Sequence, residues 1–458
     1  MSFTKSALLG SAAVLAVVAG AQAADLPSKK AAPATYVKIC DAYGAGFFYI
    51  PGTDTCVKLG GYVRSEYQYV PGKDTISAST GALQQSANLQ STTGFETRGR
   101  IDVDARTPTA MGVARTFVRL RAANTSGIRN ETITNQAAYG MSDNSTTGIT
   151  IESAMVQWAG FTFGVGPENY ALMPSFIYNA NPWAGFPNGM KQIAYTATFG
   201  GGYSATIALE DRKDFGYDQT ALDTASTAAN IVGNVRLDQA WGFAAIHAMI
   251  GNNSLNDSSL NSMAGAPVGQ TTYGGYAVGA TASYKLPMIA AGDQIWVGAN
   301  YAKGMLGALL SAGGLSNMAT ASNHRLMGGV VRVDTNLVQT GGSAANGNAT
   351  YDSTTGWNLN AAFTHYWAAQ WRSNFSAGYV SLSTPTSTVA STWCSAKMWE
   401  VTGGVIYSPV KDLDIGLEVQ YANLKNTMQN PAAAFVTAGS PGLNVNNFTT
   451  KLRVERSF

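Results

Sequence analysis

The feature that most constrains this chain is a two-residue alternation of apolar and polar side chains, which is clearest in the segment NNFTTKLRVERSF. In an extended strand, Phe448, Leu452 and Val454 fall on one face, and Lys451 and Arg453 fall on the other. The same alternation recurs along nearly the whole sequence. The pattern therefore predicts a chain that folds almost entirely as β-sheet.

Several predicted strands carry charge along one entire face. In GFETRGRIDVDAR, every second residue from Glu96 to Arg106 is charged and lies on one face of the strand. The opposite face carries uncharged residues such as Phe95, Ile101 and Val103. A packed soluble core would not face charges inward on strand after strand. In a bilayer the arrangement inverts, because apolar side chains face lipid and the charged face lines a wet interior. A closed barrel also leaves no backbone group without a hydrogen bond in the membrane.

The N-terminal segment has the features of an export signal. Residues 1–23 contain one basic residue, Lys5, and an apolar run, followed by the small residues Ala21 and Ala23 before a predicted cleavage at Ala24. This is the pattern of a secretory signal peptide. A lone anchor helix is disfavoured because the run is shorter than the roughly 20 residues that a bilayer span needs. No later uncharged apolar segment reaches that length. If the mature chain crosses a membrane, it must therefore do so with strands.

Composition favours one closed β structure. Only 12% of the 458 residues are charged, and the chain has 50 glycines but 15 prolines. Soluble proteins carry about 25% charged residues. No Pro-rich or low-complexity linker divides the chain into domains. The formal net charge of +2 includes no strong basic excess, so no nucleic-acid partner is expected.

The alternation predicts an all-β fold, a transmembrane antiparallel β-barrel of about sixteen strands with short periplasmic turns and long external loops. The loops are rich in Ser, Asn, Gly and Thr, and they alternate with the turns along the chain. The predicted strands are 57–70, 94–106, 113–123, 149–159, 161–168, 191–199, 203–212, 229–238, 243–250, 273–285, 293–303, 355–367, 371–383, 396–408, 412–424 and 446–458.

Aromatic residues near the predicted strand ends are expected to form two interfacial girdles. The residues concerned are Tyr67, Tyr69, Trp158, Tyr203, Tyr301, Trp357, Trp367, Trp371, Tyr379, Tyr407 and Tyr421.

Three cysteines in an exported chain can oxidise. We predict a disulfide between Cys40 and Cys56, which close a loop of the size that the chain-entropy model associates with about 3 kcal/mol of stabilisation. Cys394 is then left over, as a buried or loop thiol. The pair lies in an N-terminal extension, residues 24–56, ahead of the barrel at 57–458. The sequence leaves open whether this extension is periplasmic or folds into the lumen.

Residues 36–62, YVKICDAYGAGFFYIPGTDTCVKLGGY, with the preceding ADLPSKK and the terminal aromatic strand, resemble the N-terminal signature of the alphaproteobacterial porin family. The strand and loop pattern extends the likeness over essentially the whole mature chain. The resemblance implies a sixteen-stranded homotrimeric barrel among outer-membrane lipids, with passive diffusion of small hydrophilic solutes and ions. It also implies that Phe458 is part of the recognition signal for the barrel-insertion machinery.

The resemblance further implies that the third external loop folds into the lumen. Here that loop is residues 169–190, which are rich in aromatic residues, contain Pro174, Pro182 and Pro187, and carry no charge before Lys191. The alternative is a surface loop that caps the barrel or packs at a subunit interface.

Charged side chains on the first three strands are predicted to line the pore and to create a transverse field that orients polar solutes. A weak anion preference follows, because the arginines outnumber the acids. The alternative is that these charges pair with one another and only hold the wall rigid. The predicted pore-lining residues are Arg64, Glu66, Glu96, Arg98, Arg100, Asp102, Asp104, Arg106, Arg115, Arg119 and Arg121.

Other functions have weaker support. The histidines His247, His324 and His365 are far apart in the sequence, and no metalloprotease, Walker or nucleophile-elbow motif is present, so we predict no catalytic, metal or cofactor site. Some outer-membrane barrels are lipases with Ser and His on the lipid face, where His365 could lie, although an interfacial role is favoured. An adhesive barrel that binds partners through loop 304–354 is compatible with a channel. A soluble β protein is the remaining alternative.

Overall fold

The computed structural model describes residues 38–70, 75–76, 83–84, 92–127, 144–172, 178, 189–211, 228–256, 270–309, 335–339, 349–383, 394–428 and 443–458. Within these ranges, seventeen strands form one antiparallel sheet, of which sixteen close into a barrel. The barrel strands are β1 Cys56–Tyr69, β2 Thr93–Thr109, β3 Gly112–Ser126, β4 Asn144–Trp158, β5 Phe161–Gly166, β6 Met190–Gly200, β7 Tyr203–Glu210, β8 Asn230–Gln239, β9 Gly242–Asn256, β10 Gln270–Lys285, β11 Gln294–Lys303, β12 Thr355–Ala368, β13 Trp371–Ser383, β14 Cys394–Val410, β15 Leu413–Met428 and β16 Leu443–Ser457. The predicted fold class is confirmed.

The barrel closes between its first and last strands. β1 pairs with β2 on one side and with β16 on the other, with Arg64 opposite Glu455 across the seam. The backbone N–H of Phe458 donates to the carbonyl of Gly61 (3.1 Å), and the N–H of Gly61 donates back to the carbonyl of Phe458 (3.2 Å). Each other strand pairs with its chain neighbours, so the sheet has no open edge among the sixteen.

Connections between consecutive strands alternate in length. Two-residue turns join β2 to β3, β4 to β5, β6 to β7, β8 to β9, β12 to β13 and β14 to β15, and the longer turn 286–293 joins β10 to β11. The remaining connections are long and leave from the opposite rim. Two of them contain short hairpins, Thr75–Ile76 with Leu83–Gln84 and Thr335–Gln339 with Ala349–Ser353. In the part of the chain that the structure describes, no helix is long and apolar enough to cross a bilayer.

Side chains alternate between the two faces of the barrel wall. On β15, Leu417 and Val419 are 51% and 36% exposed, whereas Glu418 and Gln420 between and beside them are 2% and 1% exposed. The apolar face therefore points outward and the polar face points into the barrel, the reverse of a soluble protein.

Aromatic side chains form belts on the outer face. At the long-loop rim, Tyr301 lies opposite Trp357 in the register of β11 and β12. At the turn rim, Trp371 and Tyr407 stack with their ring centroids 4.6 Å apart. The residues that the sequence assigns to girdles all belong to this outward set.

The segment before β1 packs against the turn-side end of the barrel. A disulfide joins Cys40 to Cys56, and Phe48–Tyr49 adds a two-residue strand beside the start of β1. The guanidinium of Arg106, an inward-facing residue of β2, lies 4.8 Å from the ring centroid of Phe47. The described part of this extension, residues 38–55, is therefore anchored to the lumen side of β1 and β2.

One region of the inner face is apolar, which the alternation does not predict. Small or flexible apolar residues from β6 to β15, such as Met190, Ala277 and Met398, are buried inside the barrel. They form one cluster with Tyr170, which follows β5, and with Leu309, which follows β11. The starts of two long loops thus fold into the barrel, and the inner wall beneath them is a packed core rather than a wetted surface.

Candidate functional site

The predicted charged residues of β1, β2 and β3 lie on the inward face of three adjacent strands. In the register, Arg64 lies opposite Arg98, Arg100 opposite Arg121, and Arg106 opposite Arg115. Like charges directly opposite one another are destabilising unless counter-charges lie between them. The acidic residues that the sequence interleaves with the arginines supply those counter-charges.

Two aspartates are each shared by two arginines. Asp102 contacts Arg119 (2.8 Å) and Arg100 (3.3 Å). Asp104 accepts hydrogen bonds from both Nε and Nη2 of Arg115 (3.0 and 2.9 Å). Arg106, which lies on the same strand as Asp104, contacts the same carboxylate (2.9 Å). Each triplet therefore carries two positive charges and one negative charge.

The other arginines of the predicted set each have a carboxylate that is not shared between two of them. Arg98 contacts Glu96 (2.8 Å), and Arg121 contacts Glu152 of β4 (3.5 Å). Arg64 donates through Nε to Glu455 of β16 (2.6 Å), across the seam of the barrel. The structure thus places every predicted arginine next to a carboxylate, and Glu152 and Glu455 are counter-charges that the sequence analysis did not include.

The inward-facing charged residues of β1, β2 and β3 form one charged wall, and this wall continues from β1 onto β16. Glu66 contacts Arg453 and lies 3.9 Å from the ammonium of Lys451. Both cations also contact Tyr178, in the loop after β5: its carbonyl accepts from Lys451 Nζ (2.7 Å) and Arg453 Nη2 (3.2 Å). The guanidinium of Arg453 stacks 4.0 Å from the centroid of the Tyr178 ring.

Tyr178 is thereby attached to β15 and β16, a part of the barrel wall distant from β5, the strand that its loop follows. Its backbone N–H donates to Glu418 Oε2 on β15 (2.6 Å), and burial raises the pKa of its hydroxyl to about 12. The ring lies over Gly416, where an added Cβ would be 2.1 Å from the hydroxyl oxygen. Position 416 therefore has to be glycine for Tyr178 to lie where it does. Of loop 169–190, the structure describes only 169–172, 178, 189 and 190.

The wall facing the charged strands is polar but largely neutral. His247 Nε2 lies 2.9 Å from Asn300 Oδ1, Asn300 Nδ2 donates to Asn358 Oδ1 (2.9 Å), and Asn358 Nδ2 donates to the carbonyl of Leu309 (2.5 Å). The ring of Tyr170 lies edge-on to His247, with 4.6 Å between centroids. This ladder fixes the start of two loops to the inner wall. Its only signal in the sequence is Asn300 on β11 and the alternating Asn358 and Asn360 on β12.

His365 lies on the outer face near the turn rim. Its Nδ1 is 2.6 Å from Oδ2 of Asp293, which also accepts the backbone N–H of Tyr366 (2.8 Å) through Oδ1. Burial would raise the pKa of Asp293, but these two hydrogen bonds hold it below its usual value. Ser373 lies opposite His365 in the register, but its Oγ accepts the indole N–H of Trp367 (2.9 Å). His365 and Asp293 are therefore part of the aromatic belt at the turn rim.

Within the described ranges, no group of three or more His, Cys, Asp or Glu side chains is arranged to hold a metal ion. Residues 1–37, which include Ala23 and Ala24, and the third histidine, His324, lie outside the described residues. Of Cys394, only the backbone, at the start of β14, is described.

The barrel has sixteen strands, an apolar exterior, aromatic belts and a charged inner wall, and Tyr178 of the loop after β5 is attached to β15 and β16. These features define the class of transmembrane channel-type barrels. The chain belongs to a particular family within that class, because the model of the porin subfamily matches residues 25–448. The resemblance seen in the sequence is confirmed, and membership places the barrel in the outer membrane.

Individual relatives agree with this assignment. Porin Omp2b of Brucella abortus is 34% identical over 252 residues, an alignment that covers 52% of this chain and 63% of that porin. Porin Omp2b of Brucella melitensis is 33% identical over 250 residues, with the same coverage. The match therefore spans less than two thirds of these relatives.

The fold is also similar to a solved outer-membrane channel, DcaP of Acinetobacter baumannii. The two structures superpose with a TM-score of 0.58 at 13% sequence identity, covering 90% of this chain and 99% of that chain.

Proposed function

We propose that this protein is a channel through which small hydrophilic solutes and ions diffuse passively across the outer membrane, with a weak preference for anions. The observation that carries the proposal is the contact of Tyr178 with β15 and β16. A barrel of sixteen strands is wide enough to hold water. Tyr178, held against β15 and β16, narrows that interior beside the charged wall.

The anion preference rests on how the charges of this wall are shared. Asp102 and Asp104 each neutralise only one of the two arginines that they contact, so each triplet keeps an excess positive charge. Arg100, Arg106 and Arg115 retain about a quarter of their side-chain exposure and so face the water of the lumen. A fixed positive excess in a narrow aqueous path raises the local concentration of anions.

The proposal is tested by reversal potentials of single channels in a salt gradient. The wild-type protein should conduct and should give a potential of the sign that anions produce. In the double variant Arg100→Gln with Arg119→Gln, Asp102 loses both of its cations, and the preference should move toward cations. Arg236→Gln is the matched control, because Arg236 pairs one to one with Asp238 on the opposite side of the barrel (2.7 Å).

Two outcomes contradict the proposal. A folded barrel that does not conduct would favour a structural or adhesive barrel, which would act through loops such as 304–354. A reversal potential that is equally unaffected by the paired variant and by Arg236→Gln would show that the arginine triplets do not set the selectivity.

We further infer that residues 1–23 are a signal peptide cleaved between Ala23 and Ala24, that Phe458 belongs to the assembly signal, and that the barrel is a homotrimer. The charged and small residues around Ala24 and the family match beginning at residue 25 support the cleavage site. Mass spectrometry of the mature chain and cross-linking in native membranes test these inferences. A mature chain that retains Lys5, or a monomer as the sole cross-linked species, would contradict them.

An enzymatic role has less support. His365 and Asp293 form an acid–imidazole pair, but Ser373 is held by Trp367, so this serine, which lies opposite His365 among the described residues, is not aligned with the imidazole. We therefore infer that the protein is not an enzyme and uses no cofactor.

A further inference from the structure

The turn 286–293, with the sequence LPMIAAGD, differs from the six other described turns at its rim, which have two residues each. Met288 and Ile289, here called the apolar tip, are 70% and 58% exposed. The one charged residue of the turn, Asp293, is only 1% exposed. Adjacent apolar side chains that protrude in this way indicate an interaction surface.

The turn holds the apolar tip in a fixed position. The N–H of Leu286 donates to the carbonyl of Asp293 (2.8 Å), and the N–H of Ile289 donates to the carbonyl of Leu286 (2.9 Å). The ring of Tyr366 packs over Gly292, where an added Cβ would be 2.8 Å from ring atom Cε2. The apolar tip is therefore carried by a hydrogen-bonded and packed turn.

Both ends of the turn lie beside the aromatic belt on the lipid-facing side of the rim. The carboxylate of Asp293 contacts Nδ1 of His365 on the outer face (2.6 Å), and the exposed ring of Trp367 lies edge-on to His365 at 4.3 Å. Before the turn, the outward-facing Tyr284 stacks on Trp241, with 5.9 Å between ring centroids. The apolar tip therefore continues the belt at its periplasmic edge.

We propose that the apolar tip inserts into the headgroup region of the periplasmic phospholipid leaflet and anchors the barrel there. The residue before the turn, Lys285, is exposed, and it has no acidic partner among the described residues. A lysine at the edge of an apolar surface lays its stem along that surface and directs its ammonium toward lipid phosphates. Apolar side chains flanked by a cation are the composition of an interfacial anchor.

A lipid surface fits this region better than a soluble partner does. The belt residues on both sides of the turn, Tyr284 and Trp367, belong to the outward set that faces the bilayer. Phospholipids therefore cover the apolar tip and the belt as one continuous surface. A periplasmic protein would cover the tip alone and would leave Lys285 without an anionic group supplied by the membrane.

The test measures the depth of a fluorophore at position 289. The full mature chain with Cys394→Ser and Ile289→Cys is labelled with the fluorophore NBD, while the disulfide protects Cys40 and Cys56 from the label. The labelled chain is placed in nanodiscs of phosphatidylethanolamine and phosphatidylglycerol, whose two faces are both open to iodide. Quenching is measured with iodide in the water and with phospholipids that carry a nitroxide near the headgroup.

Lys411→Cys in the same Cys394→Ser background is the matched control, because Lys411 and Asp412 form a charged turn at the same rim. Compared with the label at 411, the label at 289 should be quenched about threefold more by the lipid nitroxide and about threefold less by iodide. Adding Met288→Asp should lower lipid quenching at 289 about threefold, because an exposed carboxylate opposes insertion.

Heat-modifiable migration on gels verifies that each labelled chain is folded. Iodide access at 289 equal to that at 411 would overturn the proposal. Protection of the label at 289 from both quenchers would also overturn it, and would show that protein covers the apolar tip. The comparison of positions 289 and 411 decides the question even where Met288→Asp does not fold.

Discussion

The attachment of Tyr178 to the far wall can be tested at a single glycine. Replacing Gly416 with Ala would place a Cβ 2.1 Å from the Tyr178 hydroxyl oxygen and 2.5 Å from ring atom Cε2. Ordinary contacts begin near 3.4 Å, so the ring has to move by more than 1 Å. The backbone at position 416 needs no left-handed conformation, so the substitution acts through this contact and not through strain in β15.

The size of the effect follows from what the ring loses. Tyr178 stacks at 4.0 Å on Arg453, and a desolvated cation–π contact of this kind is worth about 1–2 kcal/mol. A loss of that size changes an equilibrium between attached and detached states about 5- to 30-fold. In single-channel recordings of Gly416→Ala, the time spent at conductance levels other than the main wild-type level should rise by that factor.

Two variants make the measurement decisive. Tyr178→Ala should give a similar rise, and adding Gly416→Ala to it should change nothing further, because the clashing ring is already absent. Gly99→Ala is the control, since an added Cβ at this strand glycine would meet no atom within 4 Å. Wild-type recordings from Gly416→Ala, or an undiminished effect of Gly416→Ala in the Tyr178→Ala background, would refute the attachment.

Three further predictions follow from other contacts. The double variant Cys40→Ser with Cys56→Ser should unfold in urea with a free energy lower by about 3 kcal/mol, because the disulfide closes a loop of 16 residues; an unchanged midpoint would contradict this. The pKa of Asp293 is held below its usual value, so the stability it adds is complete above about pH 4 and is lost as the pH falls through the lower folded-state pKa. The melting temperature of the wild type should therefore fall more steeply on acidification than that of Asp293→Asn, and parallel curves would contradict the linkage. Purified protein should show no phospholipase activity above that of His365→Ala, and activity that is lost in this variant would contradict the non-enzymatic inference.

The barrel strands could be predicted because the physical signal for each is local. Alternation alone places β13 at 371–383, where the structure has it, and puts the start of β12 at residue 355. β4 begins five residues earlier than predicted, at Asn144 instead of residue 149, because Ser, Thr and Gly there give no contrast between the two faces.

Contacts between distant segments could not be predicted in the same way. The alternation shows that Arg119 and Asp102 face the same side, but only the register brings them within 2.8 Å. The path of Tyr178 depends on groups more than 200 positions further along the chain. The apolar inner cluster escaped prediction because Ala, Gly and Met on β6 to β15 are compatible with either face of the wall.

The bonds between Gly61 and Phe458 join the two strands that lie furthest apart in the sequence. Until they form, the sheet exposes the unpaired amides of β1 and β16, and each edge can recruit a strand from any neighbouring copy. Sealing the ring also carries the largest loop-closure penalty in the molecule, which makes it a slow step. Before closure the chain therefore has two strand edges open to pairing with other copies, and this route to aggregation ends when the ring is sealed.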